Sequence, residues 1–249
     1  MSEPQSPLAP MLRKLESWAS FTDKDREALL ALPHILKAIE PHHYIVRDGD
    51  RATHCCLLRS GFVFRHKIAG TGSRQILSIH VAGDMVDLQN SLLKAADHSV
   101  QMLTTGKVAM IPREEVIKLT MARPRVAHAM WVDTLVDASI FREWIANVGR
   151  RDARTRIAHL LCEFALRLKV AGLGEQTNYE MPMTQEQLGD ATGLTSVHIN
   201  RTLKALEGER LIERANPRSI TIGDWRKLAE AGDFNSAYLH LHEGEPALA

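Results

Sequence analysis

Apolar and polar positions alternate at short intervals between about Ile39 and Ile111. Pieces rich in β-branched residues, such as HYIV, HCCLLRS, FVFRHKI and ILSIHV, are separated by turns that contain glycine or aspartate. Such segments are typical of short strands in an all-β barrel or sandwich. AGTGS predicts a hairpin loop, because glycine readily takes the positive φ angles of tight turns. The last strand is predicted over residues 101–112, QMLTTGKVAMIP.

A different pattern, with apolar residues three and four positions apart, runs from Arg125 to Val148 without glycine or proline. It predicts one long helix. A narrow apolar seam is typical of a helix that pairs with a second helix, and a single polar residue in it can fix the register. The alternative is a helix that packs on its own domain. Pairing predicts a homodimer interface made of Val126, Met130, Asp133, Val136, Ile140, Trp144 and Val148.

Two short amphipathic stretches lie in TQEQLGDATGLTSVHINRTLKALE, residues 184–207. Thr184 is a predicted N-cap, and Gln187 follows at capping-box spacing. Gly193 predicts the turn between two helices, and Thr195 is the predicted N-cap of the second helix. The pattern indicates a helix-turn-helix, whose second helix lies in the DNA major groove.

The next segment, GERLIERANPRSITIGD, predicts a β-hairpin wing. Its strands are expected over Leu211–Glu213 and Ile220–Ile222, with a turn at Asn216-Pro217. Arg214 and Arg218 lie near the predicted tip and are candidate phosphate contacts. The helix pair and the hairpin together predict a winged helix-turn-helix.

The second helix presents a polar face if Ile199, Leu203 and Leu206 point inward. Arg201 shares this face with Asn200 and Val197, which favours a base or phosphate contact over a solvated charge. A bidentate arginine contact with guanine contributes about 1–3 kcal/mol of discrimination. The predicted DNA-binding residues are Thr184, Thr195, Ser196, Val197, His198, Asn200, Arg201, Lys204 and Arg218.

The roles expected of the other residues on this face differ. Ser196 and His198 are predicted to contact phosphates or neighbouring residues, and Lys204 is predicted to act through its charge. Asn200 is left open between a base contact and a capping or hydrated position. Val197 cannot form a hydrogen bond, but it can contact a thymine methyl group.

The bulk composition is that of a globular protein, with 45% hydrophobic and 24% charged residues in a chain of 249. The formal net charge is only +1, so nucleic acid would have to meet a local basic patch. MSEPQSPLAP lacks the order of a signal peptide. No apolar run approaches the roughly 18–20 residues of a membrane span. Three cysteines do not form a disulfide framework. We therefore expect a cytoplasmic protein without a membrane partner.

The order of barrel, long helix and winged helix-turn-helix resembles the CRP/FNR superfamily of bacterial transcription regulators over nearly the whole chain. GDRATHCCLLRSGFVFRHK is similar to a strand pair of that family, and AGDMVDL to the turn that enters its nucleotide pocket. MTQEQLGDATGLTSVHINRTLKALEGERLIE is similar to its DNA-binding signature. The resemblance implies an α+β fold, with an N-terminal β-barrel or jelly roll of cyclic-nucleotide-binding type, a long dimerisation helix and a C-terminal winged helix-turn-helix.

The resemblance also implies partners. A homodimer would bind two-fold symmetric double-stranded DNA, with half-sites about one helical turn apart. RNA polymerase is a further expected partner.

The chain departs from the family at its ligand-binding positions. Relatives that bind cAMP carry a Glu shortly after the glycine-aspartate turn and an Arg-Ser pair ten residues later. The corresponding positions here hold Leu88 and His98-Ser99, which removes an acceptor and a permanent cation. The Thr-Ser pair that meets adenine corresponds to Phe141-Arg142. We therefore expect no ordinary cAMP binding. The predicted effector pocket consists of Asp84, Leu88, His98, Ser99, Phe141 and Arg142.

Two further departures concern metal chemistry and DNA sequence. The oxygen-sensing branch carries an N-terminal cysteine cluster for an iron–sulfur centre, and no cysteine precedes Cys55 here, so no such cluster is expected. The family's recognition helix often holds a cytosine-reading Glu at the place of Val197, so a different DNA site is expected.

Cys55 and Cys56, beside His54 and after His42-His43, leave a redox, metal or haem site open. The favoured alternative is that adjacent strand cysteines point to opposite faces, one buried and one exposed. No metal site is predicted.

The sequence predicts a β-roll sensor-like domain at residues 1–123, a dimerisation helix at 124–150 and a DNA-binding domain at 151–249. The expected function is dimeric transcription regulation, controlled by an unidentified effector or redox signal at the barrel. The alternative is a constitutive regulator set by its own abundance. An enzyme is not expected, because the chain lacks a nucleophile elbow, a phosphate loop and a His-x-x-x-His pair.

Overall fold

The computed structural model describes residues 6–241 and divides the chain into two compact units. The first unit holds the chain up to Arg65 together with Ile79–Ala138, and the second holds His66–Ser78 with Ser139–Leu241. The outer limits of the predicted terminal domains lie outside the described residues.

The alternating segments form seven strands in two sheets, with orders β1-β7-β3 and β2-β6-β4-β5. The single strand predicted over 101–112 is wrong, because it is two strands in different sheets. The second of them begins at Gly106, where a Cβ would lie 2.2 Å from the carbonyl oxygen of Ser60. The strands are Ile35–Ile39 (β1), Tyr44–Val46 (β2), His54–Ser60 (β3), Val63–Ile68 (β4), Arg74–His80 (β5), Ser99–Met102 (β6) and Gly106–Pro112 (β7).

The first unit has two apolar cores. One lies between the sheets and includes Cys56, Val63 and Met102. The other joins the opposite face of β3 and β7 to the helices, and includes Cys55 and Met130. The helices are Ala9–Glu16 (α1), Asp23–Leu30 (α2), Arg113–Ala122 (α3) and Pro124–Arg150 (α4), of which α4 continues beyond this unit.

The second unit is built on α5, Ala153–Val170, which Asp152 caps by accepting the Thr155 N–H at 2.8 Å. Its small sheet has the order β8-β10-β9. The two predicted wing strands are confirmed as β9 and β10, and β8 adds a third. The remaining elements are Asn178–Glu180 (β8), Gln185–Thr192 (α6), Ser196–Gly208 (α7), Ile212–Glu213 (β9), Ser219–Ile222 (β10) and Trp225–Ala231 (α8).

Candidate nucleic-acid interface and effector pocket

Local backbone chemistry fixes the direction of α7. The predicted capping box is present, since Thr184 Oγ1 accepts the Gln187 N–H at 3.2 Å and Gln187 Oε1 accepts the Thr184 N–H at 2.8 Å. Gly193 ends α6 at φ 68°, where glycine is unstrained. Gly189 permits the close turn, because a Cβ there would lie 2.4 Å from the Leu194 carbonyl oxygen. Thr195 then caps α7 as predicted. The helix-turn-helix is confirmed.

The outward face of α7 carries most of the predicted DNA-binding side chains. Val197, Arg201 and Lys204 are exposed and follow one another at steps of four and three residues, so they share one stripe. Ile199, Leu203 and Leu206 are buried on the opposite side. The stripe formed by Val197, Arg201 and Lys204 is called the reading stripe below.

His198 and Asn200, which lie beside the reading stripe, are hydrogen-bonded to other side chains of the protein. Thr195 Oγ1 lies 2.9 Å from His198 Nδ1, which draws the ring toward the cap. Asn200 is half-buried, and its amide donates to Gln185 Oε1 at 3.4 Å. Ser196 is exposed beside the reading stripe. Asn200 is therefore turned toward α6, a contact that the sequence pattern did not predict.

The wing separates the two arginines that were predicted near its tip. Asn216 Oδ1 accepts the N–H groups of Arg218 and Ser219 at 2.8 and 2.9 Å, and this turn leaves Arg218 exposed. Arg214 is mostly buried, and its guanidinium donates to Glu207 Oε2 at 2.8 Å. The prediction of a phosphate contact for Arg214 is therefore wrong, because this side chain ties the wing to the end of α7.

Two of the residues predicted to form the effector pocket, Asp84 and Leu88, are already in contact with other side chains of the first unit. Asp84 is buried and accepts from Lys14 Nζ at 2.8 Å, from the Val81 N–H at 3.0 Å and from His80 Nδ1 at 3.2 Å. Leu88 packs against the apolar core that joins the sheet to the helices. Neither side chain is available to a ligand in this structure.

His98 and Ser99 are also buried and hydrogen-bonded within the barrel unit. His98 Nδ1 donates to Asp97 Oδ1 at 2.7 Å, and Nε2 lies 3.3 Å from the Gln89 amide nitrogen, which fits a neutral ring that accepts from Gln89. Burial and the charge of Arg65 lower the pKa of His98, against the opposing effect of Asp97. Ser99 Oγ accepts the Asp48 N–H at 3.1 Å.

A buried cation that the sequence pattern did not reveal lies in this unit. Arg65, in β4, is only 2% exposed. Its Nε donates to the Val86 carbonyl at 2.8 Å, and its guanidinium pairs with Asp137 on α4. Burial raises the pKa of Asp87 to about 7, against the opposing effects of the Cys56 N–H and of Arg65. The barrel interior therefore already holds a charged arginine with its counter-ion.

The last two predicted pocket residues lie on α4 in the second unit. Phe141 is half-buried and Arg142 is exposed. Their assignment to an effector pocket stays a prediction.

The adjacent cysteines are both fully buried. They point to opposite faces of β3, as predicted, but one face is covered by helices and the other by the second sheet. The prediction that one of them is exposed is therefore wrong. Burial, followed by the charge of Asp87, raises the pKa of both thiols, which disfavours the thiolate that redox or metal chemistry needs. Over residues 6–241, no cluster of three or more His, Cys, Asp or Glu residues suits a metal ion.

On α4, the seam predicted as a dimer interface faces the chain's own interior. Val126, Met130 and Asp133 are buried in the first unit, and Ile140 and Trp144 in the second; Val136 and Val148 are half-buried. Asp133 pairs with Lys14 at 2.8 Å. At its five buried positions the seam is therefore unavailable to a second chain, and the interface prediction is wrong there; for Val136 and Val148 it stays a prediction.

A second stripe, on the other side of α4, also alternates steps of four and three residues. Trp131, Leu135 and Ile145 are 65%, 52% and 73% exposed, whereas Ala138 is half-buried. Arg142 lies between them. We call Trp131, Leu135, Ala138, Arg142 and Ile145 the outer stripe. Its spacing was present in the sequence, but its arginine and alanine made it less apolar than the seam.

Two family profiles match the chain. The cyclic nucleotide-binding domain matches residues 36–123, and the Crp-like helix-turn-helix domain matches residues 155–231. The chain belongs to the CRP/FNR family of transcription regulators. It is therefore a DNA-binding transcription regulator and not an enzyme, as the sequence predicts. Over residues 6–241, no helix is long and apolar enough to cross a membrane.

Similar proteins span most of the chain at low identity. The transcriptional activator protein FnrL of Cereibacter sphaeroides is 26% identical over 215 residues, which are 84% of this chain and 86% of FnrL. The nitrogen fixation regulation protein FixK of Azorhizobium caulinodans is 23% identical over 72% of each chain. The solved structure of FixK2 from Bradyrhizobium japonicum has a TM-score of 0.73 at 21% identity and covers 80% of this chain and 98% of its own. This likeness confirms the fold.

Proposed function

We propose that this CRP/FNR regulator binds a two-fold symmetric DNA site as a homodimer, with α7 of each protomer in successive major grooves. The reading stripe is the observation that carries the proposal. Arg201 can offer a bidentate contact to guanine, while Lys204 and Arg218 offer positive charge to phosphates. Because the whole chain carries a formal net charge of only +1, affinity depends on this local patch.

The outer stripe supplies the dimer interface. Its alternating steps of four and three residues match the heptad spacing with which two helices pair. Trp131, Leu135 and Ile145 expose apolar surface that a second copy of α4 would remove from water. The buried seam cannot do this, because it packs on its own chain.

We infer that ordinary cAMP does not control DNA binding through the N-terminal unit. Asp84 and His98 are hydrogen-bonded to neighbouring side chains, and Leu88 belongs to the core. These contacts favour a regulator that binds DNA with no small molecule added, which is the second candidate function. An unidentified effector would have to displace them.

FnrL is named a transcriptional activator. Because the chain is similar to FnrL, we propose that it activates transcription and contacts RNA polymerase. We also propose that it is located in the cytoplasm, beside the DNA that it binds.

A protection footprint of the purified protein on the DNA upstream of its own gene, with no ligand added, tests this proposal. We expect a symmetric protected region of about two helical turns. Arg201→Ala should abolish it, whereas Arg226→Ala, which removes an exposed arginine of α8, should not. Protection that is unchanged in Arg201→Ala would contradict the assignment of the reading stripe.

A further inference from the structure

Val197 is an apolar side chain exposed where polar ones are expected. It is the second residue of α7 and is 69% exposed. Among residues 184–208, all of which are described, it is the only large hydrophobic side chain with such exposure. At 69% exposure it adds little packing to its own chain, and a β-branched residue is a poorer helix former than alanine. The fold therefore gives no reason for valine at this position.

The place of Val197 in the reading stripe gives a reason for valine. Arg201 lies one turn further along the helix on the same face, and Lys204 one turn beyond it. When this face lies in a major groove, the N-terminal turn of α7 approaches the base edges most closely. The His198 ring is drawn toward the Thr195 cap, whereas the Val197 side chain stays 69% exposed on this turn.

The chemistry of the groove then selects one base. Guanine, cytosine and adenine present polar edges there, and a valine that covers such an edge would bury a donor or acceptor without a partner. Thymine presents a C5 methyl group, which gains from apolar contact.

We infer that Val197 is a specificity-determining residue that recognises the C5 methyl group of a thymine in each half-site. This inference rests on the proposed binding of α7 in the major groove. It predicts a T·A pair at the position that Val197 faces. It also predicts that 5-methylcytosine is bound better than cytosine there, because 5-methylcytosine offers the same methyl group as thymine.

The test uses duplexes that differ by single methyl groups. The preferred site is first obtained by selection from random DNA with the full-length protein, and each symmetry-related pair of thymines is then replaced by deoxyuridine. At the pair that Val197 faces, deoxyuridine should lower affinity about fourfold when it replaces thymine in one half-site, which is the value for one buried CH₂ group. Replacement in both half-sites should lower affinity about fifteenfold. Replacing that thymine by cytosine should weaken binding, and 5-methylcytosine should restore part of the loss.

Val197→Ala isolates the contact, since an exposed position tolerates the change. This variant should bind the thymine and deoxyuridine duplexes with nearly equal affinity. Val170→Ala, at an exposed valine of α5, should keep the full difference. The inference is overturned if no thymine in the half-site shows a methyl effect, or if the effect persists in Val197→Ala. Failure to select any DNA would instead contradict the proposed function itself.

Discussion

The indole nitrogen of Trp144 on α4 donates to both carboxylate oxygens of Glu163 on α5, at 3.1 and 3.0 Å. Glu163 is buried and also accepts from the Tyr238 hydroxyl at 2.8 Å. One carboxylate therefore joins the C-terminal part of the long helix, the first helix of the DNA-binding region and the segment after α8. Trp144 is part of the predicted dimer seam, but it serves the interior of its own chain.

Removing this carboxylate should destabilise the second unit. Glu163→Ala removes the acceptor of the buried Trp144 N–H, one partner of the Tyr238 hydroxyl and one ion pair of Arg167. We expect the free energy of unfolding to fall by about 3–5 kcal/mol, as for a broken buried ion pair. Urea denaturation measures the change. Glu180→Ala, at an exposed position of β8, is the control and should change stability by less than about 0.5 kcal/mol. Equal stability of the two variants would contradict the role of Glu163.

The two wing arginines should separate stability from DNA binding. Arg218→Ala removes an exposed charge at the tip, so DNA affinity should fall and the salt dependence of binding should decrease by about one counterion. Thermal stability should not change. Arg214→Ala breaks the pair with Glu207 and should lower the melting temperature. Melting curves and titrations at several salt concentrations distinguish the two, and reversed effects would show that Arg214 is the phosphate contact.

The outer stripe predicts the oligomeric state. Leu135→Asp places a charge on its exposed apolar surface and should shift the protein toward the monomer in sedimentation equilibrium, with a parallel loss of operator affinity. Met121→Asp, at a position of α3 that is 82% exposed, is the matched control and should leave the dimer intact. A Leu135→Asp protein that sediments like the wild type would place the interface elsewhere.

Asp87 predicts a pH dependence of stability. Its pKa in the fold is about 7, above its ordinary value of 3.8. Between these values the unfolded chain releases a proton that the folded chain retains, so rising pH destabilises the fold. Below about pH 4 both states are protonated and this contribution disappears. The difference in stability between Asp87→Asn and the wild type should therefore grow by up to ~4 kcal/mol between pH 4 and pH 7. A stability difference that does not change with pH would show that the buried Asp87 carboxyl is not protonated in the fold.

Helix caps and turns could be predicted because they depend on neighbouring residues. Thr184, Gly193 and Thr195 do in the structure what their spacing indicates. Which side of α4 packs inward could not be predicted, because the seam and the outer stripe have the same spacing. Which of them packs inward depends on distant residues such as Lys14 and Glu163.

In the barrel interior, too, the identity of single residues could be read from the sequence, but contacts between distant residues could not. The loss of the family's polar anchors at Leu88 and His98 was visible in the sequence. The buried pair of Arg65 and Asp137 was not, since a lone arginine in a strand is usually solvated and its partner lies 72 positions along the chain. The burial of both cysteines likewise required knowledge of what covers each face of β3.

We propose that a dimer of this chain reads two-fold symmetric DNA with α7. Selection of binding sites from random-sequence DNA by the purified full-length protein tests this proposal. We expect an inverted repeat whose half-sites are centred about one helical turn apart, with a guanine that depends on Arg201 in each half-site. An enriched site without two-fold symmetry, or no enrichment at all, would contradict it.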